Sequence, residues 1–222
     1  MTQVSIISSP SFAARAQRSE ATRVIIWTLV LAGMLLITLM RRALGGTVMR
    51  NDAMFYPYAG TLAGAIACQL ALLRPIRRAN RESVLLPKWL WQSSALFDLA
   101  TAVAVLVIAG FLSPRGPGPA LSEPPLLLLP LVVLMSILRL RPAFTFWTGM
   151  AAAIIHLLLA MRAVEIMTAK GSSGEAYPVY FAYGFILMLT AVAGLFVAQQ
   201  VRQQVREAAD EASSHELAER QI

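Results

Sequence analysis

The chain has 222 residues, 57% of them hydrophobic and only 14% charged, whereas an ordinary soluble domain carries about a quarter charged residues. Its mean hydropathy is +0.63, so composition alone excludes a soluble enzyme or binding domain. The net charge of +7 comes from cations at the ends of apolar runs rather than on one face, which argues against a nucleic-acid partner and for membrane orientation.

Residues 1–20 (MTQVSIISSPSFAARAQRSE) are polar, rich in serine and without helical periodicity, which predicts a mobile cytoplasmic tail. Six apolar runs follow, at 24–40, 54–73, 89–112, 125–138, 142–161 and 177–200. Runs of this length predict an all-α polytopic membrane bundle of six transmembrane helices, filling residues 21–200. The first run has a 23-residue leader and is followed by Arg41 and Arg42, not by a small-residue cleavage site. It reads as a retained helix rather than a signal peptide.

The second run opens on Phe55, Tyr56 and Tyr58, and the sixth on Tyr177, Tyr180, Phe181 and Tyr183. These aromatics suit an interfacial belt; the sharper alternative is that Tyr56, Tyr58, Tyr180 and Tyr183 wall a ligand pocket. Gly60, Gly64 and Cys68 repeat every four residues along the second run. This spacing lets helix backbones approach closely, and packing within the chain is the expected use. Gly194 and Ala198 offer a similar face in the sixth run. Cys68, the lone cysteine, excludes an internal disulfide and reads as a small packing residue.

The segment RPIRRANRESVLLPK (74–88) has five cations and one acid. It is expected to anchor topology and to touch anionic headgroups. Asp98 is the one acid well inside a predicted span, where ionisable groups are costly and functional by default; its plain alternative is a buried carboxyl hydrogen-bonded to another helix. It lies about 15 Å beyond Lys88 along a helix. His156 in the fifth run is a possible relay partner, but the two would differ in depth by about 8 Å. A satisfied interhelical hydrogen bond is its plainer reading.

With the N-terminus inside, thirteen Lys and Arg fall in inner segments and six in outer ones. The bias places both termini in the cytoplasm of a cell that carries the protein in its inner membrane. Outer connections are short, so any input arises within the bundle. There is no HExxH, paired-cysteine site, phosphate loop or nucleophile elbow. No catalytic residue, cofactor or metal is therefore expected.

The last run continues without Gly or Pro into VRQQVREAADEASSHELAERQI (201–222), predicting a cytoplasmic connector helix. Val201, Val205, Ala208 and Ala212 keep the 4-3-4 spacing of a short coiled-coil seam. The turn LRLRPAFTFWTGMAAAI and the exit GLFVAQQVRQQVREAADEA resemble the N-terminal six-span membrane domain of bacterial multidomain signalling proteins. That resemblance implies a class III nucleotide cyclase, a sensor histidine kinase or a SpoIIE-like phosphatase as effector, in cis or in trans, and a homodimer within the lipid bilayer. The expected function is a membrane sensor and anchor relaying a signal through its last helix. The alternatives are a small ion-coupled carrier centred on Asp98 and an assembly subunit of a membrane complex.

Overall fold

Apolar runs punctuated by Asn, Gly and Pro give helices at almost every position. The structure is a computed structural model describing residues 10–45, 51–82, 84, 86–113, 116–121, 124–139, 141–171 and 177–219. Side chains at 10–16, 88, 119, 124 and 209–219 lie outside that description. Six α-helices follow in order: α1 (Pro10–Ala43), α2 (Asp52–Arg81), α3 (Lys88–Phe111), α4 (Leu128–Ile137), α5 (Pro142–Ala169) and α6 (Tyr177–Glu219).

The local signals for their ends are ordinary ones. Asn51 caps α2 by accepting from the Ala53 N–H at 3.0 Å, and Pro142 stands in the first turn of α5. Gly45 and Gly171, at φ 80° and 72°, follow α1 and α5 in the left-handed conformation that ends a helix cheaply.

Five helices are long and apolar enough to cross a membrane, and α4 is not one of them. The expected fourth span is a helix of 10 residues, about 15 Å long against a hydrocarbon core of about 30 Å. Prolines explain the shortfall. Pro124 and Pro125 fall in a 3-10 turn, Pro124–Leu127, and a second such turn occupies Pro119–Leu121. Proline offers no N–H for an α-helical ladder, so the chain reaches full helix only at Leu128.

Residues 10–20 are a second difference. The segment read as lacking helical periodicity forms the first turns of α1; residues 1–9 lie outside the described residues.

Sequence neighbours pack as antiparallel pairs. Along α5 and α6, Thr145 meets Gly194, Gly149 meets Ala191 and Leu157 meets Gly184. The hydroxyls of Thr168 and Tyr177 are 3.2 Å apart where the pair begins to open. Val133 of α4 lies against both Gly149 and Gly194, so α4 wedges into the α5–α6 groove. In α3 56% of the most apolar window is buried, against 28% in each of the other four long helices. It is the most buried of the long helices, and the others turn large apolar side chains such as Leu36, Phe185 and Phe196 outward.

Candidate functional site

The packing stripe of α1 changes character along its length. Gln17, Glu20, Arg23, Val24, Trp27 and Leu31 are all buried and recur at three- and four-residue steps, the spacing of one helix face. Its first part is polar and its second part apolar. Gln69 interrupts the otherwise apolar stripe of α2, and Ser94 and Asp98 interrupt that of α3. Arg139 stands in the turn between α4 and α5. Helix packing brings these interruptions together.

The result is a buried cluster of two guanidinium and two carboxylate groups. Arg23 is 0% exposed, Glu20 2%, Asp98 4% and Arg139 8%. Arg23 donates to Asp98 Oδ2, to Ser94 Oγ at 2.5 Å and pairs with Glu20 at 2.7 Å. Gln69 Nε2 donates to the other Asp98 oxygen at 2.6 Å. Arg139 lies 3.3 Å from Glu20 and 3.7 Å from Asp98. It also donates to the Trp91 carbonyl and stacks its guanidinium 5.3 Å from the centre of the Phe144 ring. Burial pushes the Arg139 pKa down to about 10, with Glu20 the main opposing influence, so it is a cation at neutral pH.

Three further hydrogen bonds join this end of α1 to the adjacent connections. Gln17 donates to the Val84 carbonyl and accepts from the Leu86 N–H, and Ser19 donates to the Leu138 carbonyl. One end of the bundle is thereby held by polar contacts among α1, α2, α3 and the α4–α5 turn. Burying each charge costs several kcal/mol, recovered only when partners and geometry are good. Here the charges balance, and both Asp98 oxygens are engaged.

Asp98 is thus placed inside the bundle, and its partners do not include His156, the possible relay partner. His156, 0% exposed, sits on α5 with Nε2 2.9 Å from the Tyr180 carbonyl of α6. It makes the interhelical hydrogen bond of its plainer reading and no bond to Asp98 among the described residues. Glu20, Arg23 and Arg139 were missed because one fell in the expected tail and two counted as orientation charges. The three- and four-residue recurrence from Gln17 to Leu31 was the available signal.

The aromatic candidates divide. Tyr58 and Tyr180 are buried, Tyr183 is half-buried and Tyr56 is 62% exposed. The Tyr180 hydroxyl packs on Gly118, where an added Cβ would stand 2.7 Å from it, so the connection after α3 covers it. Arg42 lies 4.0 Å from the Phe55 ring centre and 5.4 Å from that of Tyr56. Tyr180 and Tyr56 thus each make a contact within the chain.

The small residues divide too. Gly194 packs on Thr145 and Val133, and Ala198 is fully buried. Gly60 and Gly64 face outward with nothing within 4 Å of an added Cβ, so the expected packing within the chain is not what they provide. Cys68 is also exposed. In the connector stretch Val201 and Val205 are half-buried and Ala208 is exposed; the Ala212 side chain lies outside the described residues. Among the described residues no group of His, Cys, Asp and Glu is placed to hold a metal ion. Comparison with protein-family models, curated proteins and solved structures gives no match to this chain.

Proposed function

We propose that the chain is a membrane sensor and anchor that relays a signal arising within the bilayer through α6 to a cytoplasmic effector. The carrying observation is the register of that helix. The buried stripe Tyr180, Gly184, Leu187, Ala191, Gly194, Ala198 advances by alternating steps of four and three. Val201, Val205, Ala208 and Ala212 continue the same alternation along the same unbroken helix, 43 residues in all. A rod of about 65 Å whose packing seam and tail seam share one register moves as a unit when its packing on α5 changes. In this reading the protein sits in an inner membrane with both termini in the cytoplasm. The effector, in cis or in trans, is a cyclase, kinase or phosphatase of the kinds named above.

The carrier reading needs Asp98 to exchange an ion. Its engagement by Arg23, Arg139 and Gln69 weighs against that, because release would leave buried cations uncompensated.

The test is a fusion of the whole chain to a cyclase domain after Ile222, with residues inserted after Arg206. Seven residues preserve the heptad register and two rotate the tail by about half a turn. Relay through the seam requires basal output to survive the seven-residue insertion and change with the two-residue one. Equal output from both would defeat the proposal.

A further inference from the structure

The last turns of α2 carry Arg74, Arg77, Arg78 and Arg81, all exposed. At about 100° per residue they project within roughly 100° of one another. Followed back along the helix, the same arc holds Leu70, Ala67, Ala63, Gly60 and Tyr56, every one exposed. One stripe of α2 therefore turns away from the bundle. It is small or apolar for most of its length, with a tyrosine at one end and four guanidinium groups at the other.

Its dimensions match a bilayer. From Tyr56 to Arg74 the helix rises about 27 Å, close to the roughly 30 Å of a hydrocarbon core. The arginines then occupy about a further 10 Å, the depth at which headgroups lie. Trp89, 65% exposed, begins α3 at the same end. The cations at this end are clustered on one helix face, whereas at the other end Arg41 and Lys170 stand at separate helices without an ion pair among the described residues. Arg42 and Arg162 are paired with Asp52 and Glu165. On α2 Arg78 pairs with Glu82, itself exposed, while Arg74, Arg77 and Arg81 have no ion pair among the described residues.

We propose that this stripe lies against lipid and that Arg74, Arg77, Arg78 and Arg81 form a ledge binding the phosphates of anionic phospholipids. Guanidinium presents paired donors that match phosphate oxygens, and long basic side chains at helix ends reach the headgroup layer readily. A second copy is the competing occupant of the Gly60–Gly64 face. A parallel two-fold pair about that face would bring both sets of four arginines together, and like charges placed so disfavour the pairing. Lipid meets the same surface without that conflict.

Native mass spectrometry of the purified full chain, with phosphatidylglycerol or phosphatidylcholine added, reads the ledge directly. Preferential retention of phosphatidylglycerol is expected. Arg74→Gln/Arg77→Gln/Arg81→Gln should lower phosphatidylglycerol affinity by on the order of tenfold or more. The control Arg41→Gln/Arg162→Gln should keep it. Inorganic phosphate in millimolar excess should not displace the lipid; displacement would mean a free-phosphate site and overturn the proposal. Equal retention of both lipids by the wild type, which needs no variant to fold, would also overturn it. So would an unchanged preference in the triple variant, or a wild-type dimer that Gly60→Leu dissociates.

Discussion

Arg23 and Asp98, 75 residues apart in sequence, form an ion pair inside the bundle. The pair joins α1 to α3, and Gln69 extends it to α2. Arg139 adds the α4–α5 turn through Glu20. Four segments are thus joined by one neutral polar cluster, beside the apolar contacts of Val24 with Leu73 and Ile76. The other half of the molecule is held differently, by small residues along the α5–α6 seam.

Because the cluster is balanced, removing one charge should cost more than removing a matched pair. Arg23→Gln or Asp98→Asn alone is expected to destabilise by about 3–5 kcal/mol, since each strands a buried charge. The double variant Arg23→Gln/Asp98→Asn should cost clearly less than the sum. Unfolding by denaturing detergent in mixed micelles supplies the three values. Strictly additive effects would mean the two residues do not act together.

The helical, membrane-like character of the chain was legible in its apolar runs, and so was the singular position of Asp98. Its partners were not. A charge at the edge of an apolar run reads equally as a solvated orientation charge or as a buried partner, and only packing decides. Arg23 and Arg139 went one way, while Arg74 and Arg77 on α2 stayed exposed. The fourth span illustrates a second limit. Hydropathy across 125–138 is continuous, but three prolines within 124–130 delay the α-helix and leave it too short to cross.

Glycines that look alike in sequence should respond oppositely to alanine. At Gly149 an added Cβ would lie 2.8 Å from the Ala191 Cα, a backbone atom that cannot yield without separating α5 from α6. Gly149→Ala should destabilise by about 1–3 kcal/mol, the usual cost of overpacking. At Gly60 the added methyl meets open space. Gly60→Ala should be neutral, or stabilising by up to about 1 kcal/mol through helix propensity. The same micelle unfolding assay compares them, and a large loss at Gly60 would show that its face is covered.

His156 makes one interhelical hydrogen bond, to a carbonyl that its own helix ladder also serves. His156→Ala should therefore cost only about 1–2 kcal/mol from that bond, with a packing contribution on top. His156→Gln, which keeps a donor, should recover part of the loss. The detergent unfolding midpoints of the three proteins measure both effects. No recovery by glutamine would assign the whole effect to packing against Gly184.

Proteoliposomes test what Asp98 does not do. An ion carrier built on one carboxylate must expose it, change its charge and restore it in each cycle. Asp98 instead has one oxygen facing Arg23 and Arg139 and the other bonded to Gln69. Protonating it would leave the two guanidinium groups balanced only by Glu20. Wild-type vesicles loaded with a pH-sensitive dye are expected to show the same proton leak as Asp98→Asn vesicles matched for protein content. A wild-type flux that vanishes in Asp98→Asn, while the fold persists by circular dichroism, would instead make the cluster a transport site and remove the main support for a purely structural pairing.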